Sequence, residues 1–422
     1  MTLFRMLSSP AVWALGDQVL VSAGTFAMTL LVARCVSLGD FSTYGLTTIL
    51  LWFVSAIHRS YLTQPMSISA VAEPPEAWGP RLKRVLVLQA LGWPLVLGLF
   101  LAVSARYLPS WQVAASASLF TIAYLLQETM RRILFVQQRM QWVSCLDALA
   151  YGGQLILGVV LWWLHDTPVA LSTLLVAASV PFLLSAMLAY ASLPTPARAA
   201  LWPDRQTLKR AASVHWTESR WVCFSQVFMF GSFMLVPFQI AEWGKPLWVA
   251  QYNAAGALLN GLNVIRQALG NHLPIEAARR FHSDGVDGLQ RYLWTSAVWI
   301  FGLSLAIMAI LVGFGEPLVG LLFGDRFTEA VALLPHAAVG QLMTMFMLLS
   351  QAGALVIKRT EQIFWSYVVG TMISFGLAPW VIPEWGLLGA VWVANIGIFV
   401  PAAWHLLAFL RDLRQVATEQ RT

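Results

Sequence analysis

Charged residues are scarce in this sequence. They make up 11% of the 422 residues, whereas hydrophobic residues make up 58%. A soluble globular domain carries about 25% charged residues, because water must solvate most of its surface. So few charges exclude a soluble globular protein of this length and indicate that lipid surrounds most of the chain.

Cysteine is rare, and the usual motifs of enzymes are missing. Cys35, Cys145 and Cys223 each lie in or beside an apolar run, where cysteine behaves as a small hydrophobe. The seven histidines show no metal-ligand spacing, and no Walker A, zinc-protease or serine-hydrolase motif occurs. We therefore predict no catalytic residue, no metal, no cofactor and no enzymatic activity.

Long polar loops are also lacking, so no soluble domain fits between the apolar runs. Those runs have the length of roughly 20 residues that a helix needs to cross a bilayer, and they are continuously apolar, unlike the alternating strands of a β-barrel. Asp17 and Gln18 interrupt the first run, which we interpret as a retained helix rather than a cleaved signal. The predicted spans are residues 11–33, 42–64, 85–105, 111–129, 143–164, 169–191, 215–240, 248–271, 292–314, 331–357, 364–382 and 387–410. Spans seven and eight are the least hydrophobic.

Positive charge alternates between successive loops. Most of the 26 Lys and Arg residues fall in segments that are cytoplasmic if the N-terminus is inside. The loops predicted to be external hold only Arg34, Arg106, Lys245 and Arg326. Because positive residues stay on the cytoplasmic side, we predict a multi-pass protein of the bacterial inner membrane with both termini in the cytoplasm.

The two halves of the sequence share a weak repeat. Arg59, Leu62 and Pro65 close span two, and Arg266, Leu269 and Pro274 close span eight about half a chain later. Each half holds six predicted spans, so the halves would be parallel repeats with a substrate path between them. The predicted domains are residues 1–200 and 201–422, each a six-helix bundle.

Polar side chains inside spans mark the predicted site, since ionisable groups in hydrocarbon cost about 2.5–3.5 kcal/mol on insertion scales. Span eight carries a polar stripe at helical spacing, and arginine can hold phosphate oxygens with a bidentate fork. The predicted substrate-binding residues are Gln18, Arg59, Arg220, Asn253, Asn260, Asn263, Arg266 and Gln267. The predicted ion-coupling residues are Asp17, Asp147 and Glu218.

Each of these residues also has a structural explanation. The polar stripes could hydrogen-bond neighbouring helices, and the arginines could extend to the membrane interface. Asp17 could pair with Arg59, or it could bind a proton or a cation as a coupling site.

Three segments resemble the polysaccharide-transporter branch of the multidrug/oligosaccharidyl-lipid/polysaccharide (MOP) exporter superfamily, the Wzx-type flippases. The first resembles that branch's first external loop, the second its entry into span ten, and the third its start of span twelve. They are Ala33-Arg34 with Leu38-Gly39, Phe41 and Tyr44-Gly45; Leu322-Phe323-Gly324 with Phe327, Ala330 and Leu334-Pro335; and Gly386-Leu387-Leu388-Gly389-Ala390.

The resemblance implies an all-α, MATE-like membrane fold of about twelve helices, in two six-helix bundles around a central cavity. It also implies alternating access and, as cargo, a polyprenyl-diphosphate-linked oligosaccharide for O-antigen, capsule or exopolysaccharide synthesis. The expected partners are that lipid-linked oligosaccharide, membrane lipids, and a polysaccharide polymerase with its export proteins, but no nucleic acid. Two alternatives stay open: a MATE-like cation or drug antiporter, and a membrane glycan polymerase or ligase.

Overall fold

The structure is a computed structural model that describes residues 10–71, 75–165, 168–193, 203–260, 263–357 and 361–419. These residues form helices and the turns between them, and none of the described segments is a β-strand. The predicted all-α fold is therefore confirmed. The chain divides into two compact units, Met1–Gln226 and Val227–Thr422, and the division falls inside one helix.

The N-terminal unit consists of long helices interrupted by two π turns. They are α1 (Pro10–Cys35), α2 (Leu38–His58), the π turn π1 (Arg59–Thr63), α3 (Gln64–Val71), α4 (Pro75–Tyr107), α5 (Trp111–Val136), α6 (Met140–Asp147), the π turn π2 (Ala148–Gly152), α7 (Gly153–Leu164), α8 (Leu171–Ala191) and most of α9 (Arg205–Met229). Serine caps fix two of the helix starts, because each hydroxyl accepts a hydrogen bond from an otherwise unpaired backbone amide. Ser37 accepts from the Asp40 amide at 3.0 Å, and Ser110 accepts from the Val113 amide at 3.4 Å.

The core of this unit lies between α5 and its neighbours. Met130, Ile133 and Leu134 of α5 pack with buried residues of α4, α6 and α8. A second cluster joins Tyr151 of π2 to Phe182 of α8, whose rings meet edge to face at 5.2 Å. The two clusters hold α5 and π2 in fixed positions, and both segments carry or adjoin buried charges.

The C-terminal unit begins inside α9 and continues through a third π turn. Its elements are π3 (Phe230–Met234), α10 (Val236–Trp243), α11 (Trp248–Leu259), α12 (Asn263–Gly313), α13 (Gly315–Leu322), a 3-10 turn (Asp325–Phe327), α14 (Glu329–Val356) and α15 (Glu361–Glu419). Two of these helices are sharply bent. Gly285 in α12 has φ +66° and Gly386 in α15 has φ +62°, values that favour glycine because it lacks a Cβ atom.

Close contacts between π3 and α15 hold the C-terminal unit together. The Ser232 hydroxyl donates to the Gly397 carbonyl at 2.5 Å, and the Thr371 hydroxyl donates to the Phe228 carbonyl at 2.7 Å. A Cβ atom on Gly397 would overlap the Ser232 carbonyl. Glycine is therefore required where the two backbones approach.

Large apolar side chains cover much of the outer surface. Trp163, Trp299 and Leu95 are 83%, 76% and 77% exposed, as suits side chains that contact lipid. Within the described residues, eight helices are long and apolar enough to cross a membrane, or nine if one bent pair counts as a single span. That pair, Ser219–Met234 with Val236–Trp243, bends by 49° and corresponds to the predicted seventh span.

In the structure, the predicted eighth span, residues 248–271, corresponds to two helical segments. Helix α11 ends at Leu259 and α12 begins at Asn263, with residues 261 and 262 outside the described part of the chain. The fourth span was predicted to end at residue 129, but α5 continues to Val136. This extension matters, because the residues just beyond position 129 lie inside the unit.

Candidate functional site: a buried carboxylate cluster in the N-terminal unit

Three acidic side chains meet in the interior of the N-terminal unit. Asp17 lies on α1, Glu128 on α5, and Asp147 at the end of α6, and they are 2%, 7% and 0% exposed. Arg131, on α5, lies at their centre. We call these four residues, together with the neighbouring Arg132, the carboxylate cluster.

The guanidinium of Arg131 contacts all three acids. Its Nε lies 2.6 Å from Asp147 Oδ2, its Nη1 lies 3.4 Å from Glu128 Oε2, and its Nη2 pairs with Asp17 Oδ2. Arg132 adds a second cation, with its Nε 2.7 Å from Glu128 Oε1. A buried carboxylate needs such partners, because an isolated charge in a medium of low polarity is very costly.

The fully ionised cluster has one negative charge more than its two arginines balance. The Asp17 and Asp147 carboxyl groups lie within hydrogen-bond reach of each other, and Asp17 Oδ1 has no hydrogen-bond partner among the described residues. Two carboxylates this close repel each other unless a proton or a cation lies between them. One proton shared by the pair would neutralise the excess charge and satisfy the unpartnered oxygen.

Local sequence explains why these groups converge. Glu128, Arg131 and Arg132 are three and four residues apart, so they share one face of α5. Asp147 is followed directly by π2, and π turns inside helices often occur at functional sites. Gly24 lets α1 approach π2 closely, since a Cβ atom there would lie 2.8 Å from Tyr151 Cβ.

A small cavity adjoins the cluster. Its volume is about 40 Å³, and a cavity of that size holds two or three water molecules. Its wall includes aromatic rings and hydroxyl groups, from Thr25, Trp52, Phe120, Thr121, Tyr124 and Tyr151. Tyr151 is close enough to Asp147 and Arg131 to interact with them electrostatically. The cavity is therefore a mostly apolar, aromatic space with a few hydroxyl groups, and Tyr151 connects its wall to the buried charges.

The structure brings together two of the predicted coupling residues, Asp17 and Asp147. The suggested Asp17–Arg59 pair is wrong, because the partner of Asp17 is Arg131 and Arg59 is exposed at the start of π1. Gln18 donates to Ser22 Oγ at 3.3 Å, a contact within α1. The side chain of Glu218 lies outside the described residues.

The other predicted substrate-binding residues are spread over both units. Arg220 is exposed on α9, 5.9 Å from the Trp221 ring. Asn253 is half-buried on α11 and Asn260 is exposed. The side chains of Asn263 and Gln267 are not among those described. Their roles in substrate binding stay predictions.

Arg266 lies in the C-terminal unit, on α12. It is half-buried and interacts electrostatically with the Tyr367 phenol. It forms no ion pair with any acid that the structure describes. A guanidinium in this setting can still bind an anion.

Arg131 is the functional residue that sequence reasoning missed. The predicted fourth span ends before Arg131 and Arg132, because charged residues usually lie outside the hydrocarbon region. The same spacing recurs at Glu276, Arg279 and Arg280, where the arginines are exposed. The local pattern therefore predicts the ion pairs but not their burial, which depends on contacts from α1 and α6.

Solved structures with similar folds are transporters. No protein-family model matches the chain, and no curated protein matches it. An inward-facing multidrug resistance MATE family transporter of the MOP superfamily has a TM-score of 0.78 and 15% identity, over 95% of this chain and 96% of that one. An outward-facing transporter of the same description has a TM-score of 0.60 and 16% identity, over 98% of both chains.

A point mutant of the Vibrio cholerae MATE transporter VcmN gives a similar result. Its TM-score is 0.62 at 15% identity, again over 98% of each chain. At such low identity these similarities establish the fold, not the substrate. The chain is a multi-pass, all-helical membrane protein with the fold of the MATE transporters of the MOP superfamily.

Proposed function

We propose that this chain is a proton-coupled exporter of amphipathic organic cations that works by alternating access. The observation that supports it most directly is the carboxylate cluster, in which three buried acids face two arginines and the Asp17–Asp147 pair lacks one positive charge. Ionisable groups at such depth are expensive and commonly serve as coupling sites.

Protonation would switch the N-terminal unit between two charge states. A proton shared by Asp17 and Asp147 leaves the cluster neutral, whereas its loss leaves one net negative charge. A ligand shifts a conformational equilibrium only by its difference in affinity for the two states. An organic cation would favour the deprotonated state, whereas a proton would favour the protonated state. The binding of the cation and the binding of the proton would therefore be mutually exclusive.

The side chains that line the adjoining cavity have the chemistry to bind such a cation, although its 40 Å³ in this conformation holds only water. Trp52, Tyr124 and Tyr151 line it, and aromatic faces attract organic cations through their ring electrons. The hydroxyl groups of Thr25 and Thr121 also line this space and can bind water or polar substituents. Two of the similar structures are described as multidrug resistance transporters, which supports a drug-like substrate.

Transport by purified protein in liposomes tests this proposal. A pH gradient should drive ethidium across the membrane, and Asp17→Asn or Asp147→Asn should reduce the initial rate by about 100-fold, as expected for loss of a proton-transfer group. Asp287→Asn is the control, because Asp287 is an exposed acid on α12. Transport that stays pH-driven in both cluster variants would exclude the Asp17–Asp147 pair as the coupling site.

A flippase for a lipid-linked oligosaccharide is the second candidate, and Arg266 favours it. This half-buried guanidinium has Tyr367 beside it and no acid partner in the described residues, so it could hold a diphosphate. The three segments that resemble Wzx-type flippases support the same function. A polysaccharide polymerase and export proteins would then be its partners.

Variants of Arg59 and Arg266 distinguish the flippase from the cation exporter. If the cargo is a diphosphate-linked oligosaccharide, Arg59→Ala and Arg266→Ala should each stop surface glycan export while the protein still inserts in the membrane. If the cargo is an organic cation, both variants should keep their drug-resistance phenotype and leave surface glycan unchanged. Normal export in both variants would rule out the flippase mechanism based on these arginines.

A further inference from the structure

Gln127 is a buried amide in direct contact with Asp147. It lies on α5, one residue before Glu128, and 3% of it is exposed. Its Nε2 donates a hydrogen bond to Asp147 Oδ1. Arg131 Nε lies 2.6 Å from the other carboxylate oxygen, Oδ2. The two oxygens of Asp147 therefore face two different donors, one neutral and one cationic.

The space around this contact is dry. Gln127 and Asp147, with further residues of α5, α6 and α8, surround a gap that has no room for a water molecule. On α8, the Ser185 hydroxyl donates to the Leu146 carbonyl at 2.9 Å, which fixes the end of α6 just before Asp147. Because water does not fit in this gap, the Gln127 amide provides the hydrogen bond that a water molecule would otherwise give to Oδ1.

The ionisable groups that face Asp147 come from three segments. Arg131 on α5 is the cation beside it, and the carboxylates of Asp17 on α1 and Glu128 on α5 are the neighbouring like charges. The Tyr151 phenol faces it from π2, and α8 contributes a neutral serine hydroxyl. One cation is thus shared by acids that repel one another. A neutral donor can shift the balance between their charged and protonated forms.

The donor at Oδ1 favours one protonation state of Asp147. Asp147 is 0% exposed, and burial disfavours an ionised carboxyl group. A hydrogen bond to an ionised acceptor is roughly twice as strong as one between neutral groups, and an amide N–H cannot accept a hydrogen bond from a protonated carboxyl. The Gln127 amide therefore offsets part of the cost of burial and weakens the binding of a proton by the Asp17–Asp147 pair.

We propose that Gln127 is a positioning residue that favours the ionised form of Asp147 and thereby sets the pH at which the Asp17–Asp147 pair exchanges its proton. Without this donor the pair would keep its proton up to a higher pH. The organic cation, which competes with that proton, would then bind only in more alkaline solution. This inference rests on the proposed function, because Gln127 acts on a pair that matters only if it binds protons.

Gln239 offers a matched control in the C-terminal unit. It is also a buried glutamine, 4% exposed, and it lies on α10. Its Nε2 donates to the Ser374 hydroxyl at 3.3 Å, so its amide serves a neutral acceptor. Gln239→Met therefore removes a buried amide without removing a hydrogen bond to an acid.

Titration of the carboxyl groups tests the positioning role without any transported substrate. Infrared difference spectra of the purified full-length protein are recorded as the pH is stepped, and the C=O band of protonated carboxyl groups is followed. The component that Asp17→Asn and Asp147→Asn both remove belongs to the pair. Gln127→Met, a side chain of similar size without a donor, should raise the pH midpoint of this component by about 1–2 pH units, as expected for one lost hydrogen bond to a charged group. Gln239→Met should leave the midpoint unchanged.

A second variant, Gln127→Glu, distinguishes hydrogen-bond donation from packing. The carboxyl group that it introduces would be protonated beside the buried acids, and its O–H can donate to Asp147 in place of the amide. This variant should keep the midpoint near the wild-type value and bind one extra proton. If it bound no extra proton, the introduced group would be ionised and the argument from donation would fail.

The outcomes separate the positioning role from the coupling site. If Asp17→Asn and Asp147→Asn leave the band unchanged, the proposed function fails. If they remove the component but Gln127→Met keeps the wild-type midpoint, the positioning role is wrong and the coupling site stands. An equal rise in Gln127→Met and in either Gln127→Glu or Gln239→Met would also overturn the positioning role, because the effect would not depend on a donor to Asp147.

Discussion

Arg131 determines whether three buried acids can coexist in the N-terminal unit. Its contacts to Asp17, Glu128 and Asp147 spread one positive charge over carboxylates from three helices. Removing one member of a buried ion cluster leaves the others without compensation, which costs more than the loss of an exposed pair. The residue is therefore expected to be structural as well as functional.

Arg131→Met should lower the free energy of unfolding by about 3–5 kcal/mol, the range found when a buried ion pair loses one partner. The matched control is Arg279→Met. Arg279 stands in the same relation to Glu276 as Arg131 does to Glu128, but its side chain is 70% exposed. Exposed pairs contribute about 0–1 kcal/mol, so the control should unfold nearly like the wild type. Denaturant unfolding in detergent measures the free energy of unfolding of both variants. An equal decrease in Arg131→Met and Arg279→Met would show that burial of the cluster is unimportant.

The sequence predicts which types of residue matter but not which of them meet. Asp17 and Asp147 could be selected because each is an acid within an apolar run. Their common partner could not, because Arg131 follows a run of polar residues that is typical of a helix end. Contacts between residues far apart in the chain, such as Asp17 with Arg131, depend on helix packing that no local pattern specifies.

At the scale of helices, small residues control how closely the charged segments approach. Gly24 on α1 faces the first atoms of the Tyr151 side chain on π2, where a Cβ atom would lie 2.8 Å from Tyr151 Cβ. That atom cannot rotate away, so any larger residue must push the two segments apart. The distance between Asp17 on α1 and Asp147 beside π2 depends on the same contact.

Gly24→Ala should destabilise the N-terminal unit by about 1–3 kcal/mol, the usual cost of overpacking. It should also slow pH-driven ethidium transport, because separating α1 from π2 moves Asp17 away from Asp147. Gly16→Ala is the control on the same helix, since nothing lies within 4 Å of a Cβ atom there. That variant should melt at or above the wild-type temperature, because alanine favours helix over glycine. Melting curves that fall equally for both variants would contradict the close-approach argument.

Apolar runs predict most helices, but not their breaks. The end of span eleven and the start of span twelve were placed on either side of Gly386, and the bend in α15 occurs there. By contrast, spans two, five and seven each contain a π turn that hydropathy does not reveal. A π turn changes hydrogen bonding rather than composition, so its position follows from packing.

At the scale of the whole molecule, the MATE-type fold follows from the number and order of the apolar runs. Twelve spans were predicted, whereas eight or nine of the described helices qualify by length and composition. Part of the difference comes from α15, one 59-residue helix that holds two predicted spans. Helix α5 also contributes to the difference, because it carries buried charges of the cluster and is correspondingly less apolar. The charged residues of the candidate site thus lower the mean hydropathy by which spans are recognised.

The predicted orientation can be tested with reporter fusions. If both termini are cytoplasmic, a green fluorescent protein fused after Glu419 should fluoresce, and alkaline phosphatase at the same place should be inactive. A fusion after Tyr107, in a loop predicted to be external, should give the opposite pair of results. The expectation follows from the distribution of Lys and Arg among the short loops. Active phosphatase after Glu419 would reverse the topology.

The π turns also affect any experiment that assigns helix faces by counting residues. Each such turn contains one residue more than a regular α-helix would, and one residue corresponds to a rotation of about 100° around the axis. Spin labels or cysteine probes placed through residues 140–164 would therefore show one periodicity up to Asp147 and a displaced one after Gly152. A scan fitted with a single helical wheel would assign lipid-facing positions to the interior on one side of that break.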